Sequence, residues 1–146
     1  MPPKLGALYA PDWKGWPPHM AGRDLGLWAR WREALPFPYQ GFYFDAALGT
    51  PPAPGPDVRP ETNVAWEFLL ARRIDAVGVL PDRYDIIELR RGADQAAIGA
   101  VEIYCFLWRQ DPPDAKGCLP IIVTDALDVD ARAFAQARGI TVFEIG

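Results

Sequence analysis

Ile74-Asp75-Ala76-Val77-Gly78-Val79-Leu80-Pro81-Asp82-Arg83-Tyr84-Asp85-Ile86-Ile87-Glu88-Leu89-Arg90 is the stretch on which the fold turns. Two β-rich runs, 74–80 and 84–90, flank Pro81-Asp82-Arg83, a turn composition, and this predicts an antiparallel hairpin. Side chains alternate with period two along a strand, so Glu88 and Arg90 share a face of the second strand. Asp75 stands on the first. The hairpin is therefore expected to bring two carboxylates and one cation together.

Working outward, residues 94–109 predict a helix that is almost wholly apolar from 96 to 108 and hence buried on most of its surface, with Pro112-Pro113 ending it. A strand at 121–124 follows. Asp128 then caps a helix closed by Gly139, and a last strand spans 140–145. Apolar runs this short and unalternating suit strands covered on both faces. Cys105 reads as core and Cys118 as part of a loop before the strand. Ahead of the hairpin, Asn63 caps an expected helix running to residue 73. The order from residue 63 is α-β-β-α-β-α-β, an α/β (α+β) class with a small mixed sheet flanked by helices.

The residues Glu67, Asp75 and Glu88-Leu89-Arg90, followed by the helix Ala97-Ile98-Gly99-Ala100-Val101-Glu102-Ile103-Tyr104, resemble the PD-(D/E)XK nuclease superfamily and its phage-encoded members. The resemblance spans 63–145 and implies a restriction-endonuclease-like core for residues 61–146. It further implies that Asp75 and Glu88 bind Mg²⁺ together with the Leu89 carbonyl, with Glu67 a lesser contributor, and that the metal activates water at the scissile phosphate. Two departures weaken that implication. Arg90 stands where the family has lysine, and a guanidinium with a pKa above about 12 cannot act as a base. Ala100 replaces the helix glutamine. Read plainly, Asp75 is a strand-edge carboxylate paired with Arg73 or Arg90, and Glu88–Arg90 is a same-face ion pair contributing under about 1 kcal/mol if exposed. A glutamate in the first turns of a helix, as Glu67 would be, is favoured by the helix dipole whatever else it does.

Residues 1–60 read as a proline- and tryptophan-rich arm, because 12 of the 16 prolines fall there. Asp24 is the expected cap of a short helix in which Leu27, Trp28 and Trp31 fall at helical spacing, and residues 41–49 predict a short aromatic strand. Pro51-Pro52-Ala53-Pro54-Gly55-Pro56 reads as an extended connector to the second unit. Trp13, Trp16, Trp28 and Trp31 form either a belt on the protein's own core or anchors for another chain, and the second is the expectation here.

With 146 residues, half of them apolar, the chain is one domain's worth and buries a real core. The net charge of −4 divides unevenly: 61–146 carries 9 basic and 14 acidic side chains, so DNA is a possible but not a favoured partner. Two cysteines are too few for a disulfide framework, and His19 has no ligand-spaced neighbour. Serine is absent, which excludes Ser/His/Asp chemistry, and there is no glycine-rich phosphate loop. No run is long enough to span a membrane and the first residues lack a signal-peptide core, so a cytoplasmic location is expected. Together these readings favour a catalytically degenerate nuclease fold without a cofactor, reused as a structural or docking component of a multi-chain assembly such as the neck, adaptor or tail-associated part of a phage virion. The alternative is a Mg²⁺-dependent DNA endonuclease or exonuclease.

Overall fold

Hydrogen-bond register fixes the hairpin first: β2 (Arg72–Val79) pairs antiparallel with β3 (Arg83–Leu89), Val79 opposite Tyr84 and Ala76 opposite Ile87. The computed structural model describes residues 2–50 and 72–146, and around this hairpin it builds a mixed five-stranded sheet in the order β1-β2-β3-β4-β5. β1 (Gly41–Leu48) pairs antiparallel with β2. On the other side β4 (Gly117–Thr124) and β5 (Thr141–Glu144) run parallel to β3. Parallel neighbours need crossover connections, supplied by α2 (Gln95–Gln110) and α3 (Val129–Ala137). With α1 (Gly22–Ala34) on the sheet as well, the class is the mixed α/β sheet flanked by helices that the sequence predicts.

Local chemistry explains the element ends. Asp94 and Asp128 take extended backbone and accept hydrogen bonds from Ala96 N–H and Ala131 N–H, capping α2 and α3. α3 closes at Gly139, whose φ of 73° suits a residue without a Cβ. Asp24, by contrast, does not cap α1: Ala21 holds that position with no side-chain bond, and Asp24 lies in the first turn. β4 begins earlier than expected and takes in Cys118. Arg72 and Arg73, expected at the end of a helix, open β2 instead. The rest of that helix, the proline connector and Glu67 lie outside the described residues.

Two apolar layers sandwich the sheet. On one face Leu27, Trp28 and Trp31 of α1 meet Phe42, Phe44, Ala76, Ile87, Leu89, Ile121 and Val123. On the other, Ala97, Val101, Cys105 and Trp108 of α2 and Ala135 of α3 cover Ile74, Val77, Ile86 and Ile122. Phe42 and Phe44 belong to the first layer, while Ala46 and Leu48, of the same parity, belong to the second. The alternation reverses at Asp45, a non-glycine residue at φ 56°. Its carboxylate is held by Arg73 Nη1 at 2.9 Å, one tie for a conformation that costs an L-residue about 1 kcal/mol or more.

The supposed division into an arm (1–60) and a domain (61–146) is corrected by this sheet. β1 pairs with β2 over seven residue levels, so the aromatic strand is part of the same sheet as the hairpin. Lys4 and Tyr9 exchange main-chain hydrogen bonds with Ala47 and Phe42, covering the free edge of β1. Trp28 and Trp31 are 2% and 0% exposed, with Trp28 edge-on to Phe42 and Phe44 at 4.9 and 5.1 Å. Neither is available to anchor another chain. Trp13 leans on Tyr9 with ring centroids 4.3 Å apart and is half-buried, and Trp16 is the exposed one of the four tryptophans.

Candidate active site

The β2–β3 ladder stops at Ala76↔Ile87, and the next level of that register would set Asp75 opposite Glu88. Here a side chain replaces the main-chain partner: Leu89 N–H donates to Asp75 Oδ2 at 2.8 Å. β3 meanwhile stays in parallel register with β4 through Leu89↔Val123, and Arg90 N–H donates to Val123 O at 3.0 Å. The two strands of the hairpin thus part where the two carboxylates stand, and a cleft of about 410 Å³ opens there, lined by Arg23, Asp24, Asp75, Glu88, Leu89, Arg90 and Arg91.

Glu88 is 4% exposed, whereas Asp75 is half-buried. Burial, then the hydrogen bond and negative charge of Glu88, push the Asp75 carboxyl well above the ordinary aspartate value, against the lowering effect of the Leu89 N–H. Two carboxylates this close hold surplus negative charge that only a proton or a cation can relieve. Arg90 Nη2 relieves part of it, donating to Glu88 Oε2 at 3.0 Å while its side chain stays 41% exposed at the cleft wall. Tyr104, from α2, is near enough to feel both carboxylates. Burial and the charges of Glu88 and Asp75 push its hydroxyl up to about 12, so it remains a proton donor throughout the physiological range.

Asp75, Glu88 and Arg90 are therefore brought together as the hairpin register predicts, and Asp75 pairs with the Leu89 main chain rather than with Arg73. The sequence reading missed Asp24, Arg23 and Arg91. Asp24 is half-buried, and its carboxyl is raised by burial against the pull of Arg23, Arg90 and Arg91. It lines the cleft from α1, whereas Glu67 lies outside the described residues. The adjacent Arg90-Arg91 pair was visible in the chain; the contribution of α1 was not, because it depends on how that helix docks. Among the described residues no group of three or more His, Cys, Asp or Glu gathers at metal-binding range. A cation site here would consist of two carboxylates and main-chain oxygen. Mg²⁺ fits such a set, since it takes hard oxygen ligands, is commonly held by one or two carboxylates and keeps several of its waters.

No family model and no curated protein matches the chain. A solved structure that is similar, the crystal structure of a repair endonuclease from Pyrococcus abyssi, shares 21% identity at a TM-score of 0.45. The similarity covers 50% of this chain and 32% of that one.

Proposed function

We propose that the Asp75–Glu88 cleft binds a divalent cation together with a nucleic-acid phosphate, and that the chain is a slow Mg²⁺-dependent phosphodiesterase of the PD-(D/E)XK type. The observation that carries this reading is the parting of β2 from β3, which leaves two carboxylates side by side in an open cleft rimmed by three arginines. Asp75, Glu88 and the Leu89 carbonyl would hold the cation. Once bound, it supplies Lewis acidity toward phosphate and makes water a better nucleophile near neutral pH.

The protein's own groups do the rest. Arg23, Arg90 and Arg91 offer forked N–H donors matched to phosphate oxygens, and they concentrate positive charge in one place on an otherwise acidic chain. Arg90 keeps its proton at any physiological pH, so it orients and neutralises but removes no proton from water. Turnover is slow for that reason. Leu89 N–H fixes one Asp75 oxygen.

Incubation with supercoiled plasmid and Mg²⁺ or Mn²⁺, alongside Asp75→Ala and Glu88→Ala, tests the proposal. Metal-dependent nicking that both variants lose is expected; a wild-type protein that leaves the plasmid intact with either metal overturns it.

A second reading is favoured by the 3.0 Å Arg90–Glu88 pair, which already neutralises one carboxylate. On that reading the fold is kept for its shape, as a docking component of an assembly such as a virion neck, adaptor or tail part. Trp16, 61% exposed, is then the residue of the original four that meets a partner. Arg90→Lys separates the two readings, because it restores a titratable amine to the cleft and raises cleavage only where metal and substrate sites persist.

A further inference from the structure

Cys105 of α2 and Cys118 of β4 both belong to the apolar layer on the α2 side of the sheet and line one depression there, away from the carboxylate cleft. Neither is in a disulfide, and Cys118 packs against the apolar cluster to which Cys105 belongs. Both line a depression of about 450 Å³ open to solvent, together with Glu102, Phe106, Arg109 and Arg138. Their environments differ. Cys105 is 2% exposed within the apolar layer, whereas Cys118 is partly buried at its margin, and Arg109 Nη2 donates to the Cys118 carbonyl at 3.3 Å, which brings the guanidinium near that residue.

These environments split the two sulfurs chemically. The neighbouring Cys105 thiol and the charge of Arg109 bring the Cys118 thiol down to about 7, while the Cys118 sulfur and burial push Cys105 far up. Cys118 is thus the sulfur that ionises more readily and Cys105 the one that keeps its proton. That is the division of labour of an attacking and a resolving cysteine.

We infer that Cys105 and Cys118 form a redox-active dithiol, oxidised at Cys118 by hydrogen peroxide and closed by Cys105 into an intramolecular disulfide tying α2 to β4. In the first step Cys118 Sγ attacks one peroxide oxygen; the O–O bond breaks, an S–O bond forms, and hydroxide departs to become water. Cys118 is then a sulfenic acid. In the second step Cys105 Sγ attacks the Cys118 sulfur; the S–S bond forms, the S–O bond breaks, and the leaving hydroxide takes the Cys105 proton as a second water. Two thiols and one peroxide become one disulfide and two waters. A small dithiol reverses the change by exchange at the more exposed Cys118 sulfur.

The test treats the reduced full-length chain with hydrogen peroxide, blocks remaining thiols by alkylation, and maps disulfides by mass spectrometry without reduction. The expected product is a monomer that has lost two hydrogens and both free thiols, with a Cys105–Cys118 linked peptide that dithiothreitol abolishes. In C105S the reaction stops at a sulfenic acid on Cys118 that dimedone traps, and in C118S the remaining thiol is oxidised at least about tenfold more slowly than wild-type Cys118. Absence of the linked peptide in the wild-type chain overturns the inference, whatever the variants do. So does oxidation that runs to an inter-chain disulfide, or to sulfinic acid on Cys118 with Cys105 still free.

Discussion

Asp75 sits where burial and a neighbouring carboxylate both favour its protonated form, and this has a sign that an experiment reads. The folded chain binds that proton more tightly than the unfolded chain, whose aspartates titrate near about 3.9. Stability therefore falls as pH rises from about 4 through the raised folded-state value, and the penalty is complete above it. Asp75→Asn removes the charge without changing the shape. In the absence of divalent ions it is expected to raise the melting temperature at pH 7 and to flatten this part of the pH profile, as thermal melts at a series of pH values would record. A melting temperature unchanged at pH 7 would count against the crowding of Asp75 by Glu88. At Arg90 the expected outcome is kinetic: Arg90→Lys raises the plasmid-nicking rate by about 10- to 100-fold, the lower range of general-base contributions, and Arg90→Ala does not. Asp75, Glu88 and Arg90 were legible in the sequence because a hairpin's register is short-range, so alternation along two adjacent strands decides what meets. Asp24 was not. Its place depends on a helix some fifty residues earlier in the chain, and no local pattern encodes that docking.

The elements with local signals were equally legible: Asp94 and Asp128 as caps, Gly139 as a stop, and the apolar run of α2. What was misread is non-local. Trp28 and Trp31 look alike as partner anchors or as core until β1 is known to pair with β2, which puts Phe42 and Phe44 beneath them. Trp31→Ala should therefore cost about 3–5 kcal/mol in chemical denaturation, the range for emptying a large core site, whereas Trp16→Ala should change stability by less than about 0.5 kcal/mol. The hairpin carries a second constraint at Gly78. A Cβ there would lie 2.3 Å from Cε1 of Tyr39, whose hydroxyl donates to the fully buried Asp85 at 2.6 Å while Arg83 Nε holds the other oxygen at 2.7 Å. Gly78→Ala forces the ring off that bond. The expected loss is about 1–3 kcal/mol, and Tyr39→Phe, which removes the donor alone, should give a similar figure by the same measurement.

At the scale of the molecule, an edge strand taken for part of an arm turns out to complete the sheet, and the chain ahead of it covers that strand's open side. Deleting residues 1–40 would strip Leu27, Trp28 and Trp31 from Phe42, Phe44, Ile87 and Ile121. The shortened chain is expected to lose its cooperative thermal transition, and a truncated form that melts as sharply as the full chain would show that the first layer is dispensable. None of the helices described is long and apolar enough to cross a membrane. The chemistry open to the molecule turns on whether the cleft between β2 and β3 is a cation site. Titration of the full chain with Mn²⁺, read by the loss of the free-ion electron paramagnetic resonance signal, asks that directly. One bound Mn²⁺ in the wild-type chain, lost in both Asp75→Asn and Glu88→Gln while their folds are retained, is the predicted result; binding that both variants keep, or none in the wild-type chain, would contradict it.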